Sequence, residues 1–184
     1  MNAALLLIDI QSDYFPGGAM EVPDAENATA NAALLLEKTR ELLLPVIHIQ
    51  HISLRPGATF FLPGTPGVEI AKEVAPGAEE KVIRKHFPNS FRGTELESWL
   101  KSLGVNKLVI CGMMTQMCID ATVRAAFDLG FEVTLVHDAC AARTVTFCGR
   151  QVAAEEVHAA FLGAMGAVYA KVQSTEEVLK TLNG

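Results

Sequence analysis

A thiol, a carboxylate and an amine can together run nucleophilic acyl chemistry, and this chain carries one of each at or after the end of a strand-like run: Cys118, Asp9 and Lys85. Asp9 closes Leu5-Leu6-Leu7-Ile8, where a carboxylate is costly to bury unless a cation or a hydrogen-bond donor meets it. Lys85 is the natural partner. The pair could hold Asp9 charged yet able to move a proton, it could be a purely structural ion pair, or Lys85 could extend into water. Cys118 falls about one turn into a helical stretch, where the positive end of the helix dipole favours a thiolate. The competing reading is a small buried hydrophobe, the role assigned to Cys111 inside the preceding apolar run. Cys140 and Cys148 follow a later run with no activating base nearby.

These residues need elements to bring them together. Ala4–Ile10, Val46–His51, Lys81–Lys85, Lys107–Cys111, Glu132–His137 and Ala167–Val172 read as buried strands. Helical patterns fall between them at 27–44, 94–103, 117–129 and 151–165, with a last one near 174–182 and a short turn around 68–73. Thr94-Glu95-Leu96-Glu97 and Ser174-Thr175-Glu176-Glu177 read as capping boxes, and Gly104 and Gly130 as helix stops. This alternation predicts an α/β fold with a six-stranded parallel sheet covered on both faces, in a single domain over residues 1–184. Ligands of such sheets bind beyond the carboxyl ends of the strands, near the point where strand order reverses. That rule selects Asp9, His51, Lys85 with His86, the stretch 112–118, and 138–140.

Composition narrows the partners. The chain has 184 residues, 15 Lys and Arg against 21 Asp and Glu, a formal net charge of -6, and four Cys without a CxxC pair. No cationic surface is available for nucleic acid or an anionic bilayer, and the cysteines do not form a disulfide or zinc framework. The apolar start is broken by Asp9 and has no basic leader, so a cytoplasmic protein acting on a small molecule is expected. No GxGxxG, P-loop, GxSxG or HExxH motif competes. His48 and His51, three apart on a strand, point to opposite faces and cannot easily share a metal. His48 reads as packed and His51 as able to reach the cleft. His137 and His158 read as structural or surface residues.

Leu6-Leu7-Ile8-Asp9-Ile10-Gln11-Ser12-Asp13-Tyr14-Phe15, Lys85 with Ser90-Phe91-Arg92-Gly93-Thr94-Glu95-Leu96, and Gly112-Met113-Met114-Thr115-Gln116-Met117-Cys118-Ile119 together resemble the isochorismatase-like cysteine hydrolases, the superfamily of nicotinamidases and N-carbamoylsarcosine amidohydrolases. The likeness continues through Thr122, Arg124, Ala126, Gly130 and Asp138-Ala139. It implies a Rossmann-like three-layer α/β/α architecture, a catalytic triad of Cys118, Asp9 and Lys85, and a cis peptide between Met113 and Met114. That peptide would aim the Met114 and Cys118 N–H groups at an oxyanion. The implied activity is cofactor-free hydrolysis of an amide-type C–N bond through a thioester. The alternatives are an isochorismatase-type vinyl ether hydrolase, in which Asp9 acts without a thiol, and a non-catalytic binding protein of the same fold. The presence of Cys118 favours the first.

In the nicotinamidase branch an Asp and several His hold a metal after the second strand. Here the stretch is His51-Ile52-Ser53-Leu54-Arg55, so no metal is expected. Phe15, His51, His86 and Phe91 are the candidate substrate-binding residues, and Phe60, Phe61, Met114 and Phe147 are further candidates for the pocket wall. The resemblance also implies a homo-oligomer, a dimer or tetramer, and the loop around 58–62 is a candidate contact.

Overall fold

The computed structural model describes residues 2–182. Six strands, β1 (Ala3–Ile8), β2 (Val46–His51), β3 (Lys81–Lys85), β4 (Lys107–Met113), β5 (Glu132–Ala141) and β8 (Lys171–Gln173), form one sheet in the order β3-β2-β1-β4-β5-β8. Every neighbouring pair is parallel. β1 is buried along its whole length, as its unbroken apolar sequence requires of a central strand covered on both faces. Helices α1 (Ala25–Glu41) and α5 (Thr175–Leu182) pack together, and so do α3 (Asp120–Asp128) and α4 (Ala154–Val168). The shorter α2 (Leu96–Ser102) anchors itself through buried Leu96 and Leu100. This is the expected Rossmann-like α/β/α arrangement. Strand order reverses between β1 and β4, so the carboxyl ends that carry Asp9 and the 113–118 segment lie side by side.

Several boundaries differ from the sequence reading. β1 ends at Ile8 because Asp9 leaves the extended region (φ 52°), a left-handed conformation that costs an L-residue roughly 1–2 kcal/mol and is best tolerated by short polar side chains such as Asp. β4 and β5 run further than expected, to Met113 and Ala141, with a shift in their pairing between Ile110 and Gly112. The last strand begins at Lys171, since α4 continues through Gly163-Ala164-Met165-Gly166-Ala167 to Val168. An antiparallel hairpin, β6 (Val145–Phe147) with β7 (Arg150–Val152), was not expected; it lies mostly before the stretch read as helix and overlaps it only at Gln151 and Val152. Cys148 and Gly149 take the two positive-φ positions of its turn.

Two features shape the sheet where it meets the site. Gly112 (φ 126°) lies against the β1 backbone so closely that a Cβ would sit 2.0 Å from the Ile8 carbonyl oxygen, so only glycine lets β4 pass beside the end of β1. Beyond Asp9, the Gln11 side chain takes over the work of a strand backbone: its Oε1 accepts from His51 N at 2.7 Å and its Nε2 donates to His51 O at 3.0 Å.

Candidate active site

Asp9, Lys85 and Cys118 converge at the carboxyl end of the sheet. Asp9 and Lys85 are both 0% exposed, with Lys85 Nζ 2.9 Å from Asp9 Oδ2. The two form a buried ion pair. Lys85 is held from the other side by the Pro88 carbonyl at 2.7 Å. The Pro88 loop is fastened in turn to α3, where the Thr122 hydroxyl meets Ser90 Oγ at 2.9 Å and accepts from Ser90 N at 3.1 Å.

Cys118 lies in a π-helical turn, Thr115–Ile119, that precedes α3. The Met114 carbonyl accepts from Met117 N (2.9 Å) and Ile119 N (3.3 Å) and skips the Cys118 N–H between them. Such single π-turns often mark functional positions because they break the ordinary bonding ladder. The Met113–Met114 peptide is cis. Thr115 Oγ1 ties the turn to α4 through His158 Nδ1 at 2.8 Å, giving His158 a structural role.

Burial sets the electrostatics. It pushes the Cys118 thiol up, reinforced by the Asp9 charge and only partly offset by Lys85. The helix dipole expected to favour a thiolate is therefore outweighed, and the resting group is a thiol. Burial works against the Lys85 charge, but Asp9 and then Cys118 more than compensate, so Lys85 stays an ammonium. The His51 imidazole is pushed down by burial, against the pull of Asp9, and is neutral near pH 7. Burial, with Cys118 and Asp9 nearby, also raises the Tyr14 phenol.

The cluster opens into a cavity of about 610 Å³ lined by Tyr14, His51, Ser53, Leu54, Arg55, Ala58, Phe60, His86, Phe87, Pro88, Met114, Met117 and Cys118. Among the residues selected from sequence, His51, His86, Met114 and Cys118 reach it. His86 does so because β3 ends at Lys85 and strand alternation no longer directs it away; its Nδ1 is 2.9 Å from the Ile52 carbonyl. Phe15 and Phe91 are corrections: both pack partly buried against the core, Phe91 stacked on Phe131 with ring centroids 5.9 Å apart, and neither lines the cavity. A 3-10 turn over Ser12–Tyr14 sends Tyr14 inward in place of Phe15. Phe61 is buried beneath Phe60, with centroids 5.0 Å apart, and Phe147 projects from the exposed hairpin. The irregular segment after β2 lines the cavity, held by Asp13 Oδ2, which accepts from Phe61 N at 2.5 Å.

The metal site of the nicotinamidase branch does not fit these residues. Ser53 stands where a ligand would be needed, and among the described residues the one group of His, Cys, Asp or Glu close enough to share an ion is Asp9, His51 and Cys118. His48 lies on the opposite face of β2, 2.9 Å from Glu80, as strand alternation requires.

A doubly wound sheet that lines a mostly apolar cavity with a thiol, and buries a carboxylate and an ammonium beside it, defines an α/β enzyme of small-molecule scale. The Isochorismatase domain model matches residues 3–177, and the chain belongs to that family of hydrolases. It is 51% identical over 180 residues to the isochorismatase family protein YddQ of Bacillus subtilis, covering 98% of this chain and 100% of that one. The crystal structure of an isochorismatase hydrolase from Oleispira antarctica superposes with a TM-score of 0.93 at 46% identity, covering 97% and 96% of the two chains. That of N-carbamoylsarcosine amidase from Thermoplasma acidophilum superposes with a TM-score of 0.81 at 25% identity, covering 96% and 98%.

Proposed function

We propose that this hydrolase cleaves an amide-type C–N bond of a small molecule through a thioester on Cys118. The observation that carries the reading is the convergence of cavity-lining Cys118 with the fully buried Asp9–Lys85 ion pair. The amidase among the structural neighbours supports the same bond type. Because the resting sulfur is a thiol, a base must take its proton as it attacks, and Asp9 is the base in reach. The sulfur adds to the amide carbonyl, and the N–H groups of Met114 and Cys118 receive the oxyanion. Protonated Asp9 returns its proton to the leaving nitrogen as the C–N bond breaks. Water, deprotonated by Asp9, then hydrolyses the thioester and regenerates the thiol. Lys85, 2.9 Å from Asp9 Oδ2, holds Asp9 in place through the cycle.

The test is ammonia or amine release from a panel of small amides, with mass spectrometry of the quenched enzyme for an acyl adduct on Cys118. Cys118→Ala is expected to lower turnover by roughly a thousandfold or more while the far-ultraviolet circular dichroism is unchanged. Full activity in that variant, or turnover of a vinyl ether that survives it, overturns the reading.

A further inference from the structure

We propose that Asp9, His51 and Cys118 form a Zn2+ site that captures the nucleophile and reversibly silences the enzyme. The inference borrows from the hydrolytic reading only what is silenced; the site itself stands on geometry. A carboxylate oxygen of Asp9, a ring nitrogen of His51 and the Cys118 sulfur lie within 4.8 Å of one another, and Asp9 Oδ2 is 3.8 Å from His51 Nδ1. Tetrahedral zinc, with bonds of about 2.0–2.3 Å, holds its donors roughly 3.3–3.8 Å apart, so small side-chain rotations close the site.

Asp9 is fully buried, and its Oδ2, the oxygen 3.8 Å from His51 Nδ1, is shared with Lys85 at 2.9 Å, so a metal competes with the ammonium for that carboxylate. His51 forms hydrogen bonds only through its backbone, so its ring is uncommitted. One sulfur, one nitrogen and one oxygen make a set suited to zinc, and the cavity supplies the fourth position to water. On binding, the Cys118 S–H bond breaks, its electron pair forms the S–Zn bond and the proton leaves to water, with no change of oxidation state. The Lys85 ammonium beside Asp9 opposes a dication, so the site is weaker than a structural zinc centre and releases its metal to a chelator. These ligands differ from those of a nicotinamidase-type site, because the nucleophile itself is one of them.

Titration of the purified protein with Co2+, a spectroscopic substitute for Zn2+, tests the site without reference to turnover. The expected result is a near-ultraviolet thiolate-to-cobalt charge-transfer band that is absent in Cys118→Ser. His51→Ala is expected to raise the apparent dissociation constant roughly tenfold or more, with His51→Gln as a second variant should the first misfold. Zn2+ is expected to block alkylation of Cys118 by iodoacetamide, and EDTA to restore it. Absence of the charge-transfer band, unchanged affinity in both folded His51 variants, or alkylation indifferent to zinc overturns the proposal. The two readings fail separately. Amide turnover lost in Cys118→Ala with no cobalt signal removes the metal site alone, whereas a cobalt signal with no amide turned over removes the amidase reading alone.

Discussion

Asp9 and Lys85 sit out of contact with water, and for such a pair the desolvation of each ion offsets much of the attraction between them. Removing one partner is far worse, because it strands the other charge. Lys85→Met is therefore expected to cost roughly 3–5 kcal/mol of stability, with Asp9→Asn/Lys85→Met recovering most of that loss while remaining inactive. Urea unfolding of wild type, single and double variants gives the comparison, and a double variant no more stable than the single one would show that the pair is held for stability after all. Asp9 was readable because a carboxylate closing an aliphatic run is a conflict that physical chemistry flags without a structure, Lys85 followed as its partner at another strand end, and Cys118 was read from its place in the crossover after the fourth strand. Tyr14 was not readable, since a single 3-10 turn decides whether it or Phe15 faces inward and no periodicity reports so short an element.

At the scale of elements, α1, β2 and the segment before β3 are clamped at a distance from the cavity by Glu80. Its carboxylate accepts from Arg40 Nε and Nη2 at 2.7 and 2.8 Å and from Gly77 N at 2.7 Å, and lies 2.9 Å from His48 Nε2. The Arg40 hydrogen bonds lead in lowering the Glu80 carboxyl from 4.5 to about 2, while burial lowers His48. Both groups bind protons more readily in the unfolded chain. Their contributions are thus complete above pH 6.5, decline first as His48 is driven to protonate, and then fall further from about pH 4.5 toward pH 2 as Glu80 does. Chemical denaturation across this range should show the decline, and Glu80→Gln should lack the part below pH 4.5; an unchanged acid limb would remove the clamp from the account. The central strands were legible because they are long aliphatic runs. The hairpin at 145–152 was not: its strands have three residues each, and its turn pairs Cys148 with Gly149 rather than the familiar Asn-Gly.

Over the whole molecule, the described residues contain no helix long and apolar enough to cross a membrane, yet large apolar side chains remain uncovered. Phe147 on the hairpin is 78% exposed and Val168 at the end of α4 is 63% exposed. We propose that these belong to contacts between two or four copies of the chain, as the family resemblance implies. Sedimentation velocity at assay concentrations should then give twice or four times the 19.8 kDa of one chain, and a species of 19.8 kDa would remove the proposal. The alternation of runs disclosed the parallel sheet, whereas its cavity depended on a loop whose path is fixed by tertiary bonds such as that from Phe61 N to Asp13. Gln11 bears on how such a molecule can change. Because an amide side chain, acting as a counterfeit peptide unit, completes the pairing of His51, the sheet's hydrogen-bond ledger closes at residue 11. The chain beyond it bonds to the cavity loops instead, Ser12 N donating to the Glu69 carbonyl at 2.9 Å and Phe61 N to Asp13, so changes of length within residues 52–67 can reshape the cavity wall without disturbing the strand register that holds Asp9.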